Sequence, residues 1–401
     1  MAAPRPSLAP EAELLLLTAA ASPSDDALRR RLGAGLDWEA LSDLAQHEKA
    51  TPVLVRQLGR IGVAIPGSEN MDLRQLAAAS VMNLLHLERL LFQTLDGLSE
   101  RGIPVMLLKG AALAYSVYPS ITERPMGDLD ILLPPEHAEP AWTWLQTQGW
   151  TWPAARWAAG QYTTMHHLPP LVQDPGEYRL EIHRDLLPVG HPFLFSSETL
   201  WARSERVTVK GRVFAVPHPM HQLWHLCVHF AWSHMMMWGT WRTLRDCSQI
   251  VQHAGFPWES FIELARESRA GTCCYWTLRL ARRLAGTAVP DTVLQALLPP
   301  RSASILEALE RHYVSNLFPS QDGCPSVWLT SRLWEAGIAP GWSKHGAARP
   351  WQVTERWLAG ADQPPLVAPG DRSLWARLRK IPLWLAYLRR IYRFALPATA
   401  P

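Results

Sequence analysis

Asp128 and Asp130 stand two residues apart in Gly127-Asp128-Leu129-Asp130-Ile131-Leu132-Leu133, a run that predicts a strand over Asp128 to Leu133. Side chains alternate along a strand. Both carboxylates therefore leave one face, roughly 7 Å apart at the backbone, while Leu129 and Ile131 point into a core. Two carboxylates held side by side repel unless a cation lies between them. Mg²⁺ suits that place, with Mn²⁺ as its substitute, because it takes one or two carboxylates and completes its shell with water and substrate phosphates. Alone, the pair is better read as an ordinary solvated strand end, and its neighbours change that weighting.

Lys109-Gly110 lies at the junction of a predicted strand, Ile103 to Leu108, and a predicted helix that begins at Ala111. Without a Cβ, Gly110 lets a phosphate or another backbone come close. The free N–H groups of the helix start, from Ala111 on, favour an anion, and Lys109 adds a positive charge. Arg124, four residues before Asp128, has the fork that grips phosphate bidentately. A third carboxylate follows in Tyr178 to His183, where Leu180 and Ile182 share one face and Arg179, Glu181 and His183 share the other. Beside the first acidic strand, Glu181 could hold a second metal and accept the proton of an attacking hydroxyl, with His183 a candidate contact for the nucleotide.

The elements that must position these residues form an α+β chain, a small mixed sheet between helical regions. The pattern predicts an N-terminal helical region over 1–101, with a long helix from Met71 to Arg101 stopped by Gly102. An α/β core follows over 102–216. It includes a helix from Ala111 to Tyr118, a helix from Glu136 to Gln148, and a hairpin of Val207–Val209 and Val213–Val216 around Lys210-Gly211-Arg212. A helical unit is expected over 217–315, a Pro/Gly-rich connection over 316–371, and a basic amphipathic helix over 372–401.

Bulk properties narrow the class. At 401 residues, 48% hydrophobic and 19% charged, the chain is a folded globular protein of two or more packed units. A net charge of +3 gives no global basicity for nucleic acid, which is not an expected partner. Cys227, Cys247, Cys273, Cys274 and Cys324 form no C-x-x-C pair and read as buried free thiols. Leu14 to Ala21 is apolar but too short to span a bilayer, so the expected compartment is the cytoplasm. The 20 tryptophans read as core and helix-packing material.

At this point the residues resemble a known family. Leu107-Leu108-Lys109-Gly110-Ala111-Ala112-Leu113, Tyr118-Pro119, Arg124, Gly127-Asp128-Leu129-Asp130-Ile131-Leu132-Leu133 and Leu180-Glu181-Ile182-His183 are similar to the uncharacterised nucleotidyltransferase family within the DNA polymerase β-like superfamily. The resemblance covers about residues 80 to 250. It implies a small mixed sheet with packed helices, and two divalent metals on three carboxylates, matched by Asp128, Asp130 and Glu181. Gly110 matches the glycine of the superfamily's Gly-Ser turn, but Ala111 stands where the serine is found. A nucleoside triphosphate, with ATP the expected one, is the implied donor, and a small molecule or peptide is the expected acceptor of a biosynthetic reaction.

Two further features stand apart. His221, His225 and His229 share one face of a predicted helix, a spacing that can bind zinc and would make the chain a zinc hydrolase. No Glu lies between them as in H-E-x-x-H, and packed histidines are the preferred reading. In the nucleotidyltransferase reading this helix caps the site, and His225, His229, Arg242 and Arg245 become candidates to touch nucleotide or acceptor. A non-catalytic protein that keeps only the fold is the third reading. The tail from Arg372 to Arg393 carries Arg377, Arg379, Lys380, Arg389 and Arg390 and no acid. A docked terminal helix is preferred there over a membrane-surface helix, although peripheral membrane contact through 372–396 is the alternative.

Overall fold

The computed structural model describes residues 6–66, 72–174, 178–252, 255–318, 327–338 and 380–400. Strands β1 (Met106–Leu107), β2 (Asp128–Leu132), β3 (Leu171–Gln173), β4 (Tyr178–His183), β5 (Glu205–Val209) and β6 (Arg212–Val216) form one mixed sheet in the order β3-β4-β2-β1-β6-β5. β2 runs parallel to β4 and antiparallel to β1, and β1 runs parallel to β6. The chain is therefore α+β, as expected.

The two-residue period divides the sheet into two faces. Leu129, Ile131, Leu180 and Ile182 enter a core with Leu84, Leu87, Leu91 and Leu95 of helix Leu73–Ser99, and with Ala138, Ala141 and Leu145 of helix Pro135–Thr147. The alternate residues of β2 and β4 leave the other face. That face is covered by a larger helical core. Leu14, Leu41 and Leu54 from helices Pro10–Leu17, Trp38–His47 and Thr51–Arg60 join Trp224, Trp241 and Trp276 from helices Pro219–Val228, Thr240–Val251 and Gly271–Ala285. Helices from before and after the sheet thus share one apolar interior. The three tryptophans are fully buried, and each donates its indole N–H: Trp224 to Ser268 Oγ, Trp241 to Thr18 Oγ1, Trp276 to Gly337 O. Cys227, Cys247, Cys273 and Cys274 are free and buried, whereas Cys324 lies outside the described residues.

Several boundaries differ from expectation. The strand predicted over Ile103 to Leu108 contracts to β1, because Pro104 has no N–H to give a ladder. The next helix begins at Lys109 and ends at Ser116, so Lys109 stands in its first turn with a left-handed φ of +48°. β3, a three-residue edge strand behind Pro169-Pro170, is an additional element. Lys210 and Gly211, both with positive φ, close the expected hairpin as the two-residue turn that matches strand twist. Within the expected connection over 316–371, helix Val327–Ile338 forms, and Trp334 donates to Ala231 O at 2.7 Å. The expected terminal helix is described from Ile381 to Arg393, whereas Arg372, Arg377 and Arg379 lie outside the described residues. It docks through Tyr387 and Ile391 on Leu329 and leaves Leu385, Leu388 and Tyr392 exposed. Among the described residues no helix is long and apolar enough to cross a membrane.

Candidate active site

The register of β2 and β4 builds the site. Asp128 lies opposite Arg179, Asp130 opposite Glu181, and Leu132 opposite His183. Because the strands are parallel and in step, Asp130 and Glu181 leave the same face side by side. Lys109 reaches them from the turn after β1: its Nζ donates to Asp130 Oδ1 at 2.7 Å and lies 3.8 Å from Glu181 Oε2. His183 Nε2 meets the same Asp130 oxygen at 2.8 Å and is also 3.8 Å from Glu181 Oε2. One carboxylate oxygen thus collects two nitrogen partners, with a second carboxylate beside it.

The electrostatics follow from burial and these partners. Burial would raise the Asp130 pKa, but the Lys109 charge and the His183 hydrogen bond hold it well below the carboxylate range. Glu181 takes the opposite course. Burial, with the charges of Asp130 and Asp128, lifts it to about 8 against the pull of Lys109. Burial opposes the charge on Lys109 too, yet Asp130 and Glu181 overcome it and raise its pKa. Burial and Lys109 lower His183, so its imidazole is neutral and Nε2–H is the donor to Asp130. Lys109 therefore acts as a built-in counter-cation for two carboxylates.

These donors also fit a divalent metal. Asp130, Glu181 and His183 each offer a ligand atom, and these atoms all lie within 4.8 Å of one another. They form the one such trio of His, Cys, Asp and Glu among the described residues. Carboxylate oxygens suit Mg²⁺ or Mn²⁺, and an imidazole is better tolerated by Mn²⁺. The histidine stripe makes no such group: His225 and His229 line the cleft, while His221 packs edge-on against Phe195 outside it. The chain leaves the α-helix at His229 for a π-helical turn over His229–Ser233.

Asp128, Asp130 and Glu181 open into a cleft of about 580 Å³, within the size range of small-molecule sites. Its lining includes His166, His167, His225, His229 and His234. Burial holds His167 and His225 down to about 3 and His234 down to about 4, so these imidazoles are polar but uncharged near neutral pH. Lys49, Arg124, Arg179 and Arg242 also line the cleft, and the charges of Lys49 and Arg242 act on Asp128.

The other expected residues fall as follows. Gly110 lines the cleft, but the space over its missing Cβ is taken by Met126 Cβ at 3.3 Å and Arg124 Nη1 at 3.4 Å. Ala111 is buried in the sheet core. Arg124 also lines the cleft, yet its fork is already engaged. Nε and Nη2 donate to the two oxygens of Asp246 at 2.6 and 2.8 Å, and Nη1 donates to Pro125 O at 2.7 Å. Asp246 is fully buried on helix Thr240–Val251 and needs that counter-charge, which binds Arg124 more firmly than a transient phosphate would. Arg242 lines the cleft, whereas Arg245 turns to Thr18 O and Glu123 outside it.

Sequence patterning did not reveal Lys49, His166, His167 or the cleft position of Arg179. Lys49 follows helix Trp38–His47 with φ +57°, a conformation that costs a side-chain-bearing residue about 1–2 kcal/mol. Ala50 N–H donates to Ala45 O and Lys49 N–H to Gln46 O, the helix-ending pattern that usually places glycine where Lys49 stands. Burial lowers the Lys49 amine to about 8, opposed by Asp128 and assisted by Arg242, Arg179 and Arg124. The only hint in the sequence is a lysine where a helix-stopping glycine would be ordinary.

Residues 34–286 match the model of a family described as an uncharacterised nucleotidyltransferase. The chain belongs to this family. The match is wider than the span of about 80 to 250 on which the motifs lie. It takes in Lys49, the whole sheet, and the helices carrying His225, Arg242 and Asp246. No curated protein and no solved structure matches the chain. Nucleotidyltransferases use nucleoside triphosphates and, in general, divalent metals, which agrees with a carboxylate and imidazole cluster able to hold one.

Proposed function

We propose that the chain transfers a nucleoside monophosphate from a nucleoside triphosphate, ATP being the expected donor, to a hydroxyl or phosphate of a small-molecule or peptide acceptor. The observation that carries this reading is the in-register pairing of Asp130 with Glu181, on the same face as Asp128, at the floor of a cleft large enough for a nucleotide. Asp130 and Glu181, with His183 in the same trio, are the residues that would hold Mg²⁺ or Mn²⁺, and Asp128, two residues along the same face, is the further carboxylate. Bound there, the metal would neutralise the phosphates and charge developing on the leaving pyrophosphate. The acceptor oxygen forms a bond to the α-phosphorus as the bond from that phosphorus to the β-phosphate oxygen breaks, and pyrophosphate leaves. Glu181 is the base placed to take the acceptor proton. Lys109 and His183 fix the Asp130 carboxylate, and Lys109 lies close enough to shift onto a phosphate oxygen. The neutral histidines of the cleft supply hydrogen-bonding groups without charge, which suit an acceptor more than a polyphosphate.

The test is titration of Mg²⁺ complexes of ATP and the other three nucleoside triphosphates against wild type and Asp130→Asn, with pyrophosphate release measured in the presence of candidate acceptors. Binding with release in wild type, lost in the variant, is expected. Equal binding and equal release in both would remove the assignment.

A further inference from the structure

Resting on the nucleotidyltransfer reading, the geometry points to Lys49, with Arg242 and Arg179, as the seat of the donor's terminal phosphates, supplied largely from helices outside the catalytic sheet. Lys49 belongs to the turn between helices Trp38–His47 and Thr51–Arg60, far in sequence from the acidic strand. Its side chain nevertheless ends directly over that strand. A Cβ built on Gly127, the residue before Asp128, would lie 1.7 Å from Lys49 Nζ and 2.9 Å from its Cε. Gly127 is thus a notch that admits this amine. The left-handed backbone of Lys49, at a position where glycine is ordinary, aims the side chain there.

Charge balance identifies the ligand. Around Asp128, Arg124 and Asp246 cancel in their bidentate pair, and Glu48 accepts the Trp241 N–H while giving Arg242 part of its counter-charge. Lys49, Arg179 and Arg242 remain around Asp128. The Lys49 ammonium makes no hydrogen bond or ion pair among the described residues. Glu48 bears on Arg242 and Glu181 on Arg179, but three cations gathered here, partly withdrawn from water, still repel one another until a multiply charged anion joins them. A polyphosphate satisfies all three, and Asp128 shared with the metal ties that tail to the reacting phosphorus. The neutral histidines of the cleft offer a polyphosphate no such balance.

The experiment uses the full chain with Mg²⁺ and measures binding of ATP, AMP and inorganic tripolyphosphate by calorimetry. Lys49→Met should weaken ATP and tripolyphosphate about tenfold to a hundredfold, as expected for loss of one charge-assisted contact. AMP binding should hardly change, and Lys49→Arg should recover most of the loss. Gly127→Ala, which closes the notch and displaces the amine, should reproduce the Lys49→Met result even if Lys49→Met folds poorly. If wild type binds ATP and both variants bind it equally well, the inference fails while the nucleotidyltransfer reading stands. If wild type binds neither ATP nor tripolyphosphate, both fall.

Discussion

Replacement of Asp246 probes whether the Arg124 anchor is structural. Asp246 is fully buried, and its carboxylate accepts from Arg124 Nε, Arg124 Nη2 and the Tyr118 hydroxyl at 2.6, 2.8 and 2.6 Å. Asp246→Ala strands a buried guanidinium without its counter-charge, a change that costs about 3–5 kcal/mol, and also leaves a buried hydroxyl without its acceptor. Unfolding entropy of about 2.1 cal/mol/K per residue over 401 residues converts about 4 kcal/mol into a fall in Tm of about 5 °C. Intrinsic tryptophan fluorescence reads that fall directly, since Trp241 lies on the same helix. The double variant Arg124→Met/Asp246→Leu removes both charges and should recover most of the loss, giving a large coupling between the two sites. A fall below about 1 °C in Asp246→Ala, or additive losses in the double variant, would refute the anchor and return Arg124 to the list of free phosphate ligands.

Other outcomes follow from the same structure. Lys109→Met removes a cation that shares Asp130 with any metal, so Mn²⁺ should bind the nucleotide-free variant more tightly in calorimetry; weaker binding would show that Lys109 organises the carboxylates rather than competing for them. Chelation of divalent ions by EDTA should abolish pyrophosphate release and Mg²⁺ or Mn²⁺ should restore it; undiminished release in EDTA would exclude the metal role of the acidic face. His312 is buried beside the Tyr387 hydroxyl and its pKa falls to about 3 through burial, so it folds neutral. The unfolded chain takes up that proton below about 6.5, and the stability contribution, complete above that pH, shrinks as pH falls towards 3. Between pH 7 and 5 this one residue should cost about 2 kcal/mol, and His312→Gln should flatten urea midpoints over that range; an unchanged slope would contradict it. Trp334→Phe deletes the hydrogen bond to Ala231 O and should lower Tm by about 1–2 °C, with a null shift counting against that contact as an anchor of the Val327–Ile338 helix.

The parts of the site legible in sequence are those set by local periodicity. Alternation fixed the faces of Asp128, Asp130, Glu181 and His183, and glycine with an apolar run marked the Lys109 turn. The parts not legible depend on partners distant in the chain. Arg124 looked available because Asp246, 122 residues away, gives no local sign of claiming it. Lys49 gives no local sign of its place, because only tertiary packing brings that turn onto Gly127. β3 is too short, and too close to two prolines, to announce itself. Helix Val327–Ile338 has a plain apolar pattern, but the surrounding Pro and Gly residues obscured it.

The in-step pairing of β2 and β4 has one more consequence, for how this protein can fail. Sliding β4 by a single residue would turn Arg179, Glu181 and His183 into the leucine-rich layer and present Leu180 and Ile182 to the cleft. Active-site assembly and burial of the oily layer are thus a single event with no halfway form. A misregistered chain could not persist as a stable but inert enzyme; it would lose its interior and be cleared. Any folded copy of this protein carries its acidic pair already assembled.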